Sequence, residues 1–327
     1  MKNCNNPLIS IIIVNYNGKK YLERTLPKIL NLNYVNKEII IVDNGSIDWS
    51  IEFIKTFDNV KIIQSPRLRE KNYAINLWVR ESKWEYIFIC DNDLLIVNLF
   101  LLEDLLVLYL KIKNIGILWI SYKDEWQTIT SWYGVFFWNY FIQSKPKLND
   151  EILKKLNGIQ IWYPHWIWFF IKKDIWNILW WFDEHFMFWW DDNDLGIKSW
   201  SFWFWNYIYT NTIQLHIWLQ ERVDNDKFIF KFQHQVFSEL YVIFKNYTFL
   251  NMCKTSFFYT IFLFLKSIKQ SVSRAHIWPF LAFLKWYFSL IMNIKLIFME
   301  RKKFQSKRKL KNDIFLQIKP PTKKDIL

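Results

Sequence analysis

Four short apolar, β-branched runs set the frame for this chain: Leu8 to Val14, Glu38 to Val42, Val60 to Ile63 and Tyr86 to Cys90, each ending in polar residues. Such runs have strand length and strand composition. Between them lie segments with helical spacing: Tyr21, Leu22, Thr25, Leu26, Ile29 and Leu30; then Ile51, Phe53, Ile54 and Phe57; then Tyr73, Ala74 and Leu77, followed later by Leu101 to Leu110. Strand, helix, strand, helix predicts an α/β fold with a mainly parallel sheet and crossover helices. Ligands of such sheets bind beyond the carboxyl ends of the strands. The residues to weigh are therefore Asn15 to Gly18, Asp43 to Ser46, Ser65 to Arg69 and Asp91 to Asp93.

The rest of the chain changes character twice. Residues 116–200 mix strands with a second acidic cluster, Asp191, Asp192 and Asp194, while residues 236–299 are rich in Phe, Tyr, Leu and Ile with scattered Lys. The run Phe257 to Leu265 is too short to span a bilayer, and Trp278 to Met299 is interrupted by Lys285 and Lys295. An interfacial helical region fits best, with a helical core cap or an unconventional span as alternatives.

Residues 300–327 carry ten Lys or Arg against three acids, so +7 of the net +13 sits there. A basic tail on an aromatic segment predicts an anionic membrane surface as partner, with a solvated tail as the plain alternative. Nucleic acid is not expected, because no helix-turn-helix, zinc finger or stacking platform is present. Cys4, Cys90 and Cys253 have no metal-ligand spacing and do not suggest a disulfide framework. Leu8 to Val14 reads as a first strand and not as an export signal. A cytoplasmic location, peripheral on the inner face of the membrane, is the expectation.

ISIIIVNYNGKKYLERTL, EIIIVDNGSIDWSIEFIK, EYIFICDNDLLI, WIWFFIKKDIW and WWFDEHFMFWWDDNDLGIKSW, followed by LHIW, together resemble the family 2 glycosyltransferases with a GT-A fold, especially the bacterial rhamnosyltransferase-like branch. The likeness runs in order from about residue 8 to residue 220. It implies a Rossmann-like catalytic domain over residues 1–222, a C-terminal helical, membrane-associating extension over 223–300 and a basic tail over 301–327.

The resemblance also assigns roles. Asp93 is the better ligand for a divalent cation, Mg²⁺ or Mn²⁺, with Asp91 contacting the nucleoside or its phosphate and sharing the metal. Carboxylates two residues apart at a strand end suit a hard cation that shares its shell with phosphate oxygens. His216 matches a further metal ligand. Asp43 is the acceptor for the pyrimidine ring, with Asn15, Tyr16 and Asn17 as the wall beside it, although Asp43 to Ser46 also reads as a helix-capping turn. Arg67 and Arg69, with Lys71 nearby, are the candidates to neutralise the diphosphate; the glycine-rich loop of the family is absent there. Asp192, then Asp191, is the candidate base for the acceptor hydroxyl, since crowded acids raise the pKa of at least one member. The implied reaction is a single inverting displacement through an oxocarbenium-like transition state. The donor would be a nucleoside-diphosphate sugar, with rhamnose as the specific expectation, and the acceptor a glycan or a lipid-linked sugar in cell-surface glycan synthesis. A sugar-phosphate nucleotidyltransferase and a non-catalytic sugar or membrane binder stay open.

One composition figure bears on all of this. The chain has 21 Trp and 6 Gly, where ordinary usage of about 7% would give roughly 23 Gly. Against the family pattern, Trp49, Trp78, Trp84, Trp166, Trp168, Trp180, Trp181 and Trp218 stand where glycine is usual, while Trp189 and Trp190 stand where aromatics are also found. Many of these Trp letters are therefore expected to be glycine, from a gene that reads UGA as glycine.

Overall fold

A computed structural model describes residues 6–66, 70–81, 84–125, 136–138, 142–144, 154–155, 157–161, 168–186, 190–217 and 225–317. The first half forms as the apolar periods require. Strands β1 (Ile9–Asn15), β2 (Lys37–Asp43), β3 (Val60–Gln64) and β4 (Tyr86–Asp91) alternate with α1 (Lys19–Leu30), α2 (Ser50–Ile54) and α3 (Lys71–Glu81). Then come β5 (Leu94–Leu95), α4 (Leu101–Lys111), β6 (Ile115–Asp124), the small hairpin β7 (Phe136–Trp138) and β8 (Ile142–Ser144), β9 (Ile159–Gln160), β10 (Phe169–Lys172), α5 (Lys173–Ile178), α6 (Asp191–Ser201) and β11 (Trp205–His216).

The main sheet has the order β3-β2-β1-β4-β10-β6-β11-β5, with β9 on β11. The β1 to β4 core is parallel, with Asn15 opposite Asp43 and Val14 opposite Asp91. Strand β10 runs antiparallel between β4 and β6, and β11 is again parallel to β6. The carboxyl ends of β1, β2, β4, β6 and β11 therefore share one edge. Strand order reverses between β1 and β4, which opens the crevice typical of ligand sites in such sheets. Every residue of β1 is buried, as expected of a strand covered on both faces. One face packs on α1 and α4 through Ile11, Ile13, Leu22, Leu102 and Leu105, and the other on α3, α5 and α6 through Ile12, Val14, Ile75, Trp176 and Leu195.

Four helices follow: α7 (Asn225–Asn246), α8 (Phe249–Ser273), α9 (Trp278–Met292) and α10 (Ile294–Lys307). They share a third core with α6, in which Ile197 and Trp200 pack among Leu240, Tyr241, Leu263 and Ile297. Helix α10 runs past residue 300, where the sequence suggested a tail, and buried Arg308 beyond it is bound to Asp313. Among the described residues no single helix is long and apolar enough to cross a membrane; α9 and α10 are so only together, and they meet at 62°.

The backbone bears on the tryptophans. Eight described non-glycine residues have positive φ, and five of them are Trp: Trp49, Trp180, Trp181, Trp190 and Trp203. Left-handed backbone costs an L-residue about 1–2 kcal/mol and is rare for bulky side chains. Trp203, with φ of 69°, follows α6 where Phe204 N–H donates to Ser199 C=O at 3.0 Å. That bond closes a helix end whose left-handed position is usually glycine. Trp181 N–H to Trp176 C=O, 3.4 Å, closes α5 in the same way. Trp190, with φ of 70°, belongs with this group although aromatics are usual there by sequence. Trp78, Trp84 and Trp168 are not at positive φ; each has a buried indole N–H without a hydrogen-bond partner, as do Trp119, Trp176 and Trp286, which the sequence does not mark as glycine positions. Trp166, Trp189 and Trp218 lie outside the described residues.

Candidate active site

Asn15 ends β1 at the switch point and ties the edge together. Its Nδ2 donates to Asp43 Oδ1 at 2.9 Å, Ser50 Oγ at 3.0 Å and Ser46 Oγ at 3.1 Å, and its Oδ1 accepts from Asn92 Nδ2 at 2.8 Å. The last bond crosses the crevice from β1 to the loop after β4. Gly18 makes it possible, because a Cβ there would lie 1.8 Å from Asn92 Nδ2 and 2.4 Å from Asn15 Oδ1. Asp43 is fully buried, and its Oδ2 accepts from Gly45 N–H at 3.1 Å and Ser46 N–H at 2.9 Å. Asp43 thus closes the turn at Gly45 and Ser46 but does not cap α2, whose N-cap position is Trp49 with no side-chain cap. Its Oδ2 already has two donors, and Oδ1 retains capacity for a second. Asn17 binds Ile47 N–H through Oδ1 at 2.9 Å, and Tyr16 stands 42% exposed beside it.

The Asp91-Asn92-Asp93 string splits into two environments. Asp91 ends β4 half-buried, where desolvation pushes its carboxyl up to about 7; Lys71 opposes the rise, Asp93 and Asp191 add to it, and His216 opposes it. Asp93 directly precedes β5, whose pairing sets Leu94 opposite His216 on β11. His216 Nε2 lies 3.2 Å from Asp93 Oδ2, and its Nδ1 lies 2.7 Å from Asp124 Oδ1. Burial works against a charged His216 ring, but hydrogen bonds to Asp93 and Asp124 outweigh it and hold its pKa above the ordinary value. Asp124 ends β6 and was not expected from sequence. It obeys the same rule as the others, a polar residue closing an apolar run, applied one strand further along.

Asp93 Oδ1 is buried without a hydrogen-bond partner. An orphaned carboxylate oxygen beside an imidazole suits a divalent cation such as Mn²⁺ or Mg²⁺, so these residues fit the implied metal. Among the described residues no group of three or more His, Cys, Asp or Glu forms a full metal cluster. The protein would supply part of the shell.

Helix α6 begins at the same edge. Asp191 Oδ2 lies 3.2 Å from Lys71 Nζ, the first residue of α3. Lys71, expected near the diphosphate, is thus committed to Asp191 and faces Asp91 as well. Asp192 Oδ1 caps its neighbour, accepting from Asn193 N–H at 2.7 Å. Asp194 points the other way, to Lys198 and Lys245, both at 2.8 Å. Burial alone would raise the Asp194 carboxyl, but those two lysines pull it below its ordinary value. Crowding of acids therefore does not raise Asp194. The raised carboxyl in this region is Asp91. Arg67 and Arg69 lie outside the described residues.

Asp183 anchors the other end of this network. It meets Lys245 Nζ at 2.5 Å, Tyr241 Oη at 2.9 Å and His185 Nδ1 at 2.7 Å. Lys245 and Tyr241 come from α7, more than 50 residues away, and no local pattern announces the pairing.

A mostly parallel sheet with its polar cluster at the switch point, an acidic pair after β4 and a second acidic helix start define a protein of the GT-A class. The family model described as glycosyl transferase family 2 matches residues 10–176, just over half the chain, and the chain belongs to that family. An uncharacterized glycosyltransferase of Haemophilus influenzae is 37% identical over 98 residues, 29% of this chain and 39% of the relative. The poly-β-1,6-N-acetyl-D-glucosamine synthase of Staphylococcus epidermidis is 31% identical over 102 residues, 29% of this chain and 25% of the relative. The chain matches well under half the length of either relative. Among solved structures, the mannosyltransferase PcManGT of Pyrobaculum calidifontis, in complex with GDP-Man and Mn²⁺, aligns with a TM-score of 0.50 at 15% identity, over 72% of this chain and 63% of that one. That likeness is one of fold.

Proposed function

We propose that this chain is an inverting glycosyltransferase that moves a sugar from a nucleoside diphosphate to an acceptor hydroxyl. The observation that carries the reading is the meeting of Asn15, Asp43, Asp91, Asp93, Asp191 and His216 at one sheet edge, from five separate elements. Asp43 and Asn15, with Tyr16 and Asn17, would seat the nucleoside, and Asp93 and His216 would hold the cation. A cation bound there supplies charge neutralisation for the departing diphosphate. Asp192, then Asp191, is the candidate base by the motif resemblance. The acceptor oxygen attacks the anomeric carbon, the bond from that carbon to the diphosphate oxygen breaks, and the acceptor proton passes to the carboxylate.

Rhamnose as the sugar and a glycan or lipid-linked acceptor follow from the motif resemblance in the sequence. A donor screen reading release of nucleoside diphosphate with Mg²⁺ or Mn²⁺ tests the proposal. Full turnover in both Asp93→Ala and Asp192→Asn would remove it. Donor binding without any turnover would favour the non-catalytic sugar or membrane binder.

The helices of residues 225–307 are read as a membrane-facing extension to the catalytic domain, with the protein peripheral on the inner face. Phe257, Leu265, Phe288 and Met292 are 57–82% exposed, a density of bare apolar side chains that suits an interface.

The positive-φ tryptophans support the recoding reading: glycine adopts such backbone freely and has no indole to satisfy. Genomic codons decide it. UGG at 49, 180, 181, 190 and 203, or a native intact mass that fits Trp there, would sink it.

A further inference from the structure

Two helical turns along α6 from Asp191, a second crevice opens between α3, the 180–185 loop and α10. It encloses a cavity of about 400 Å³, the size of a small-ligand pocket. The charges on its wall are not evenly spent. Lys198 and Lys245, nearly fully buried, are paired with Asp194 and Asp183. Glu184 accepts from Asn76 Nδ2 at 3.1 Å. At the mouth stand Arg80, Lys303 and Lys307, all exposed, facing Glu300. Glu300 reaches Lys303 at 3.6 Å. Arg80 and Lys307 instead lie over indole rings, 4.1 Å from Trp181 and 4.2 Å from Trp180. The lining therefore carries five lysine or arginine cations, Arg80, Lys198, Lys245, Lys303 and Lys307, against three acids, Asp183, Glu184 and Glu300.

We propose that this cavity is a binding site for a phosphate-bearing anion, held at its mouth by Arg80, Lys303 and Lys307. A guanidinium flanked by two ammonium groups offers forked and point-charge donors to phosphate oxygens, and such charge-assisted bonds are the strong ones. The site survives either identity of residues 180 and 181: with glycine there, the two rings vanish, the cavity widens and both cations are released toward the ligand. Helix α10 adds a second argument. Exposed Ile294, Phe298 and Met299 occupy its first turns and Lys303 and Lys307 its last. Phe298 and Lys303 are thus about 7.5 Å apart along the axis at 1.5 Å rise per residue. The helix presents bare apolar side chains and cations close together, the two features by which a helix binds an anionic lipid surface. A lipid phosphate is one source of the anion and rests on the membrane reading above; a soluble diphosphate is the other and does not.

Amine footprinting of the full chain by mass spectrometry separates them. The probes are inorganic pyrophosphate, phosphatidylcholine vesicles, and phosphatidylcholine vesicles containing phosphatidylglycerol. Either pyrophosphate or the anionic vesicles are expected to protect Lys303 and Lys307 about fivefold or more, with about tenfold weaker binding in Arg80→Ala. Protection by pyrophosphate alone supports a soluble phosphate ligand, and protection by anionic vesicles alone supports a headgroup. Protection must persist in Asp93→Ala; its loss there would move the anion to the donor edge and overturn the proposal. No protection by either probe, or equal protection by the two kinds of vesicle, also overturns it. Vesicle sedimentation reports the membrane reading separately, since pyrophosphate needs no bilayer.

Discussion

His216 Nε2 and Asp93 Oδ2 lie 3.2 Å apart across 123 residues of chain, brought together by the pairing of β5 with β11. Removing either side chain is expected to weaken Mn²⁺ binding by about tenfold or more, as loss of a ligand or its orienting partner does. Asp124→Asn, which alters only the far side of the ring, is expected to weaken it less. Titration of Mn²⁺ into the three variants, with folding monitored by circular dichroism, checks the order.

Asp91 pairs stability against pH in an uncommon direction. Its folded pKa of about 7 lies above the ordinary 3.8. Its contribution is therefore fully present below pH 3.8 and is lost as pH rises through about 7. Asp91→Asn is expected to stabilise the protein at pH 8 by about 1–3 kcal/mol and to change little at pH 4. Urea unfolding at the two pH values, set beside nucleoside diphosphate release, shows whether that stability comes at the expense of turnover.

Gly18→Ala tests the Asn15–Asn92 bridge without touching a charged group. The new methyl would displace Asn92, breaking the bond across the crevice, at about 1–3 kcal/mol for overpacking. A loss of donor binding larger than the loss of stability is the expected result in a calorimetric titration with the donor.

Lys245→Met leaves Asp183 without its shortest cationic contact and deprives Asp194 of one of two. Unpairing a buried charge in this way costs about 3–5 kcal/mol. Adding Asp183→Asn is expected to recover part of that loss, which a double-mutant cycle in urea measures.

The tryptophans give a prediction that uses exposure as a control. Trp49 and Trp203 are 71% and 50% exposed and sit at positive φ, so little packing opposes their replacement. In a protein encoded with UGG at both positions, Trp49→Gly and Trp203→Gly are each expected to stabilise by about 1 kcal/mol, seen as a rise in Tm. Trp190, at φ 70° but only 5% exposed in the third core, loses packing as well and gains less.

How far the sequence carried depended on how local the cause was. Strands β1 to β4 and helices α1, α3 and α4 follow from apolar spacing within a dozen residues, and Asn15, Asp43 and Asp91 fall at the strand ends that spacing implies. Asp124 was missed although its signal was of the same kind, a polar stop after the run from Ile115. Lys71 was assigned to the diphosphate because the chain places it beside Arg67 and Arg69; its partner Asp191 is set by how α3 packs against α6. Likewise Asp194 looked like one of three crowded acids, since Lys198 and Lys245 reach it only once α6 and α7 have docked. Backbone sign at Trp190 and Trp203 has no local chemical mark in a tryptophan, so it emerges only with the fold.

Strand β10 lies between β4 and β6 while arriving some 80 residues after β4. During synthesis, β1 to β4 can pair in order as they leave the ribosome, but β4 keeps an open edge until residue 172 has emerged. The sheet edge that carries the acids is closed later still, when β11 brings His216 to Asp93. The nascent chain thus holds an apolar strand with one open edge while about 80 further residues are added, which makes this interval the one in which a chaperone or a slow codon would matter most.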